Sequence, residues 1–295
     1  MYSKPILLLL FLLASVFCFA QEEDLLKQLD TDSAKKEWAA PAFKSTRVIM
    51  SHSVEVLPAG VLDFRILHRF GNINQGISQF FGLDESTIRL GLDYGISNKL
   101  TVGLGRGSYK KELDAFLKYK LVQQAVGLKA SPVSVALVGG TTLFTTGFTD
   151  PNRENLFSSR MAYYAQVIAA RRFSNRISIQ VMPTLLHRNL VATNNDANDL
   201  FAAGLGGRVK LSNRISLTFD YYVVVNQNET LGVHNPLSVG VDIETGGHVF
   251  QLHFTNAVGM NERVFLTETG NDWGKGEIQF GFNISRTFQL KKKKI

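Results

Sequence analysis

The feature that most constrains the fold is a short turn that recurs between runs of strictly alternating apolar and polar residues. After its second copy, Ile177, Ile179 and Val181 alternate with Ser178 and Gln180. Two such runs joined by residues that tolerate positive φ form a β-hairpin whose strands are apolar on one face. The three copies are Ser97-Asn98-Lys99-Leu100, Ser174-Asn175-Arg176-Ile177 and Ser212-Asn213-Arg214-Ile215. They predict an all-β chain of consecutive antiparallel hairpins.

Alternating runs continue from Val48 almost to the end of the chain, and about thirteen can be counted by their period of two. Bacterial single-chain barrels have an even number of strands, so the count needs a correction. Either Trp38–Thr46 contains one more strand, or Val48–Val56 is not a full spanning strand. We expect about twelve strands, and fourteen remains the alternative.

Charged residues in these runs lie in mid-strand on the polar parity, with both signs present. In a soluble sandwich the charges can lie anywhere outside the core, whereas a transmembrane barrel directs them into its lumen and its apolar face towards lipid. The pattern therefore predicts a single transmembrane, antiparallel, up-and-down β-barrel, and a soluble periplasmic sandwich is the rival. The candidate lumen-lining residues are Asp63, Arg65, Arg89, Asp93, Asp114, Lys118 and Asp220.

Connection lengths support a barrel with two different rims. Short joins such as Ser212–Arg214 alternate with longer polar or Gly-rich connections such as Thr145–Ser159 and Gly259–Lys275. Outer-membrane barrels have short periplasmic turns and longer extracellular loops. The short joins are therefore predicted to mark the periplasmic rim.

Residues 1–20 are predicted to be a cleaved secretory signal peptide. Lys4 supplies the positive start and Ile6–Phe17 the apolar centre, and cleavage is expected after Ala20. The alternative, a lipoprotein signal acylated at Cys18, is disfavoured because Phe17 occupies a position where a small residue is needed. Since Cys18 is the only cysteine, cleavage leaves a mature chain without a thiol.

The predicted mature chain has three parts: a periplasmic amino-terminal arm at 21–45, a barrel at 46–290 and a basic tail at 291–295. In the arm, Leu25, Leu26 and Leu29 have helical spacing. Such an arm is either solvated or a docking segment that plugs the lumen or meets a periplasmic partner. The sequence leaves these alternatives open.

Basic charge does not indicate a nucleic-acid partner here. The net charge is +7 and the isoelectric point is about 9.4, but Lys4 and the run Lys291–Lys294 contribute five of the positive charges. Without them the chain has no basic domain of the kind that binds nucleic acid.

Motifs for chemistry are largely missing from the sequence. The six histidines do not have metal-ligand spacing, and no cofactor is expected. Ser53 with a cross-strand His68 is the one candidate for a lipid-modifying enzyme, because the adjacent His52 points to the opposite face of a strand. We predict that the protein is not an enzyme, with no catalytic, cofactor-binding or metal-binding residues.

The chain resembles outer-membrane β-barrels of the Bacteroidota type. The likeness rests on the signal before Gln21, the Ser-Asn-basic turns, the opening passage Thr46–Gly71 and a final strand with Phe280, Phe282 and Phe288. More narrowly, the opening passage is similar to an uncharacterised, porin-like family. The resemblance implies an outer-membrane location, outer-membrane lipid and the barrel-insertion machinery as partners, and no established activity.

A second resemblance concerns modification. Asp32-Ser33-Ala34 is similar to the short O-glycosylation signal of exported Bacteroidota proteins, which makes Ser33 the candidate acceptor.

The function expected from the sequence is that of a narrow passive pore for a small solute, or of a closed barrel that serves as a scaffold. The alternative is a ligand- or partner-binding protein that acts through its loops and arm. A lipid-modifying enzyme is the least favoured hypothesis.

Overall fold

Twelve antiparallel strands form one closed barrel in the computed structural model, which describes residues 36–127, 129–148, 154–191, 193, 196–226 and 232–291. This confirms the predicted all-β barrel and the preferred strand number. The strands are β1 Val61–Asn72, β2 Ser86–Gly95, β3 Leu100–Gly107, β4 Leu113–Val122, β5 Ser134–Leu143, β6 Met161–Arg172, β7 Ile177–Arg188, β8 Asp199–Lys210, β9 Ile215–Val224, β10 Leu237–Thr245, β11 His248–Thr255 and β12 Gln279–Gln289.

The barrel closes where the last strand pairs with the first. Gln279 of β12 lies opposite Asn72, and Gln289 lies opposite Val61 at the other end, with a register shift between Gln279 and Gly281. The run Val48–Val56 takes no part in the wall, which begins at Val61. The surplus strand in the sequence count is therefore this run.

Side chains alternate along each strand between a buried inner position and an outer position, as the period-two pattern predicts. Strand β7 shows this most regularly, since Ser178, Gln180 and Met182 are buried whereas Ile179 and Val181 are exposed. Exposed leucine, valine, isoleucine and phenylalanine side chains cover the outside of the strands, where a transmembrane barrel contacts lipid. No helix within the described ranges is long and apolar enough to span a membrane.

Short turns lie at one rim and longer connections at the other. The three Ser-Asn-basic turns each use the serine side chain as an acceptor, as in Ser174, whose Oγ accepts from the backbone N–H groups of Arg176 and Ile177 at 3.1 Å. At the same rim, Glu37–Trp38 pairs with Ala125–Val126. A six-residue helix, α1 (Glu262–Thr267), interrupts the connection between β11 and β12 at the opposite rim.

Large aromatic side chains enter the barrel opposite glycines on neighbouring strands. Tyr164 lies opposite Gly140, and Tyr222 lies opposite Gly204. A Cβ atom on either glycine would meet the tyrosine ring, so only glycine leaves room for it. At each of these two positions, the tyrosine ring occupies the space that a larger residue in place of the glycine would fill.

We predict that Gly204→Val destabilises the barrel by about 1–3 kcal/mol, because the added methyl groups overpack against the buried Tyr222 ring. The matched control is Gly139→Val, since a Cβ at Gly139 meets nothing within 4 Å. The free energy of unfolding is measured by urea titration in detergent, followed by the change in heat-modifiable gel mobility. Equal stability of the two variants would contradict the packing role of Gly204.

Candidate functional site in the barrel lumen

The lumen is occupied by residues 42–57, here named the inner segment. Its central residues from Val48 to Val54 are each 1% exposed or less. The segment bends back on itself, with Arg47 opposite His52 and the Val48 N–H donating to the Ser51 carbonyl oxygen at 2.9 Å. Its remaining backbone polar groups need partners from the wall, since water is excluded. Side chains of the wall supply these partners.

Asp220 on β9 anchors the middle of the inner segment. Its Oδ2 atom accepts hydrogen bonds from the backbone N–H groups of Ile49 (3.3 Å), Met50 (3.0 Å) and Ser51 (2.9 Å). The Ser51 hydroxyl donates a fourth hydrogen bond at 2.8 Å. Because Asp220 is fully buried, these charge-assisted bonds replace the hydration of its carboxylate.

Lys118 on β4 holds both ends of the same segment. Its ammonium donates to the backbone carbonyl oxygens of Thr46 at 2.7 Å, Ser53 at 3.0 Å and Glu55 at 3.2 Å. These are the three hydrogen bonds that an ammonium can donate. Next to it, the Lys120 ammonium lies 2.8 Å from the Glu55 carboxylate. The segment is thus bonded by an anion on one side of the barrel and by cations on another.

Three amide side chains complete the hydrogen bonds of the inner segment. Gln180 accepts from the Val54 N–H at 3.2 Å and donates to the His52 carbonyl oxygen at 2.8 Å. Asn283 donates to the Ile49 carbonyl oxygen at 3.0 Å, and Gln251 donates to that of Val48.

The inner segment also contributes to an apolar core within the lumen, which lies against strands β4 to β9. Its members from the segment are Ala42, Phe43, Val48, Met50 and Val54. The members from the wall are Phe116, Ala136, Val138, Tyr164, Ile168, Ala170, Met182, Leu186, Leu200, Ala202, Tyr222 and Val224. The wall along these strands is therefore largely apolar inside, with Lys118 of β4, Gln180 of β7 and Asp220 of β9 as buried polar groups among the apolar ones.

A second closure enters from the opposite rim. Asn261 caps α1 by accepting from the Val264 N–H at 3.0 Å. All six helix residues are buried, and the Phe265 ring lies 5.3 Å from that of Tyr222, between centroids. The helix thus extends the apolar core towards the rim with longer loops.

The two closures meet at Glu262, the first residue of α1. Its carboxylate lies 3.3 Å from the Arg47 guanidinium and 3.4 Å from Nε2 of His52, both on the inner segment. Arg47 also donates to the Met50 carbonyl oxygen at 2.8 Å. Since the side chains of Arg47 and Glu262 are each 1% exposed, losing one would leave the other buried without its counter-ion.

An ion network fastens α1 to the wall. The guanidinium of Arg263 binds both carboxylate oxygens of Glu112, at 2.5 and 3.3 Å, and also bonds Glu268 at 2.6 Å. Lys110, in the short connection between β3 and β4, lies 2.8 Å from Glu268. Burial alone would raise the pKa of Glu268, but Arg263 and Lys110 hold it below its usual value.

The seven residues predicted to line the lumen all face inwards and are buried. They do not border an open channel, because they bind one another and the inner segment. Arg89 forms a two-bond contact with Asp114 at 2.8 and 2.5 Å. Arg65 bonds Asp63 at 2.5 Å, and the Thr46 hydroxyl donates to Asp93 at 3.4 Å. Lys118 and Asp220 hold the backbone of the inner segment.

Sequence reasoning missed both closures, although each leaves a signal. The three consecutive apolar residues Val48, Ile49 and Met50 indicate burial on all sides rather than on one face of a strand. In the connection 256–278, Asn261 is a residue type that commonly begins a helix, and the apolar run Val264–Leu266 follows it. This order indicates a short helix with a buried face.

The proposed enzyme pair is not brought together. Ser53 lies inside the barrel, where its hydroxyl donates to the Ser45 carbonyl oxygen at 2.6 Å. His68 lies on the outer face of β1, stacked on the Phe282 ring with centroids 4.8 Å apart. Among the described residues, no group of His, Cys, Asp or Glu side chains could hold a metal ion.

Ser33, the signal peptide and most of the arm lie outside the described residues.

We predict that Asp220→Ala loosens the inner segment, because four donors lose their buried acceptor. Each donor left unpaired costs about 1–3 kcal/mol of stability. The reporter is Ile49→Cys in a chain without Cys18, and the readout is the rate of maleimide labelling in detergent. Labelling should accelerate at least about tenfold, since 1.4 kcal/mol corresponds to a factor of ten. Asp220→Asn, which keeps one acceptor oxygen, should have a smaller effect, and the exposed Asp84→Ala none. Unchanged labelling in Asp220→Ala would contradict the anchoring role.

The depressed pKa of Glu268 predicts a pH-dependent attachment of α1. A carboxyl group whose pKa is lowered by folding stabilises the fold above its usual pKa, about 4.3, and loses this effect as pH falls through the lowered value. We expect a change in Trp273 fluorescence below pH 4.3 in a Trp38→Phe background, because Trp273 follows Glu268 in the same connection and its indole bonds the Leu237 carbonyl oxygen. Lys110→Ala should move the midpoint to higher pH. If Glu268→Gln retains the same transition, Glu268 is not its cause.

Comparisons with known proteins agree with this architecture. The solved structures that resemble the chain include the NanC porin, with 10% identity and a TM-score of 0.48 over 78% of this chain and 100% of that chain. They also include the KdgM porin, with 7% identity and a TM-score of 0.45 over 77% and 99%. No curated protein sequence shows significant similarity. A family model described as "Membrane bound beta barrel domain (DUF5777)" matches residues 43–288, and the chain belongs to this family of membrane β-barrels.

Proposed function

We propose that this protein is an outer-membrane channel for small solutes that is held closed in its resting state by the inner segment. Opening requires the segment to leave the lumen, and the protein carries out no chemical reaction. The predicted signal peptide and the apolar outer face of the strands support this location.

The observation that carries the proposal is the polar attachment of the inner segment to the wall. Asp220, Lys118 and Gln180 bind its backbone, which water can also solvate. A permanently sealed core would gain more from apolar contacts, because buried charges are costly to desolvate and are often replaceable by apolar side chains. A polar interface lowers the cost of separation, since both surfaces regain hydration on opening.

The wall exposed by such an opening would carry both charge signs. Asp63 pairs with Arg65 and Arg89 pairs with Asp114 within the wall itself, although Arg65 also donates to the Ser45 and Thr46 hydroxyls of the inner segment. Lys118 and Asp220 would become free to meet water. We therefore expect a small, hydrated pore with weak selectivity between anions and cations.

Planar-bilayer recording tests the proposal. The intact protein should show no steady conductance, whereas a chain lacking residues 21–57, with the signal joined to Pro58, should conduct continuously. The matched control lacks residues 21–40 only and keeps the whole inner segment, so it should remain closed. Heat-modifiable gel mobility verifies that each variant has folded.

Two results would overturn the proposal. A steadily open intact protein would mean that the inner segment does not close the channel. A folded but silent chain without residues 21–57 would mean that the inner segment is not what holds the channel closed.

A further inference from the structure

Arg69 of β1 is a fully buried cation with an incomplete set of partners. Its Nη1 atom donates to the Asn283 side-chain oxygen and to the His68 carbonyl oxygen, both at 3.2 Å. Its Nε and Nη2 atoms have no hydrogen-bond partner. A buried guanidinium without an anionic partner is costly, so an arginine in this state indicates a position where an anion belongs.

The unused atoms of Arg69 form the edge of the guanidinium that binds a carboxylate elsewhere in this barrel. Arg89 uses Nε and Nη2 to bind the two oxygens of Asp114. Arg263 uses the same two atoms to bind the two oxygens of Glu112. This fork matches the geometry of an anion with two adjacent oxygens, such as a carboxylate, and it does not match a spherical anion such as chloride.

His253 of β11 reaches the same place. It pairs across the sheet with Gly281, and Gly281 in turn pairs with Arg69. The position that a Cβ atom of Gly281 would occupy lies 2.5 Å from Nε2 of His253 and 3.1 Å from Cδ of Arg69. Both side chains therefore converge over the glycine. His253 is 1% exposed, and neither of its ring nitrogens has a hydrogen-bond partner.

The nearby charges do not neutralise Arg69 through direct contact. Asp220 attracts it electrostatically and Arg47 repels it. However, the Oδ2 atom of Asp220 is bound by the inner segment, and its Oδ1 atom has no hydrogen-bond partner, so Asp220 makes no hydrogen bond to Arg69. Arg65 is also left with a free Nε, but its Nη2 is bound to Asp63, so it does not offer the complete fork.

We propose that Arg69 and His253 form an internal binding site for the carboxylate group of a small organic acid. The carboxylate would receive two parallel hydrogen bonds from Nε and Nη2 of Arg69 and a third from the imidazole of His253. This site adds a ligand to the lumen.

Isothermal titration of the intact protein in chloride-free detergent buffer tests the site, with sodium formate and sodium acetate as probes. We expect saturable binding of both acids, at least tenfold tighter than that of chloride at the same ionic strength, and no binding of neutral acetamide. Arg69→Lys keeps the charge but removes the fork, so affinity should fall at least tenfold. The matched control is Arg208→Lys, another inward-facing arginine, which should bind as the wild type does.

A structure of the wild-type protein crystallised with formate keeps the proposal testable if the Arg69 variants do not fold. Density for a planar anion on the Nε–Nη2 edge of Arg69 would support it. Chloride binding as tight as acetate binding, no saturable binding of either acid, or equal affinity in folded Arg69→Lys would overturn it.

Discussion

The interior of this barrel is organised around a buried carboxylate that has no cationic partner in direct contact. Asp220 is compensated instead by the N–H dipoles of three consecutive residues and by one hydroxyl. Backbone amides can serve this purpose only when the chain runs across the carboxylate in a defined conformation. The need to solvate one aspartate therefore determines where the inner segment lies, and through Arg47 it also influences the position of α1.

The lumen combines apolar and polar side chains because the inner segment must be packed and its backbone must also be hydrogen-bonded. A lumen filled only with charges would have to satisfy every ion without water, and a purely apolar lumen would leave the backbone of the inner segment without partners. The chain divides these tasks among different inward-facing side chains, often of the same strand. Asp220, Lys118 and the amide side chains bind the backbone, whereas Phe43, Met50 and Val54 pack against apolar strands. The bend of the inner segment suits this division, because it turns three consecutive N–H groups towards Asp220 while Met50 and Val54 pack in the apolar core.

Much of the wall could be predicted from the sequence, because strand pairing depends on a local pattern. Ile177 to Val181 alternate in the sequence as they do in β7, and the mid-strand charges lie on the inner face. The inner segment was not predictable in this way. Val48–Val56 combines apolar character with partial alternation, so it has the local appearance of a strand. What keeps it out of the wall is its set of partners: Asp220 lies 171 residues from Ile49, and Glu262 lies 215 residues from Arg47. A local sequence pattern does not indicate contacts between residues that lie so far apart in the sequence.

The seam between β12 and β1 gives the chain an order of assembly. The inner segment directly precedes β1, and α1 lies in the connection that leads into β12, so the two closures are attached to the two edges of the seam. Contacts between such distant parts of a chain carry a large entropic cost and form late in folding. The lumen is therefore filled in the same folding step in which the first and last strands of the barrel pair. A barrel that closed around an empty lumen would have to admit the inner segment afterwards through its rim.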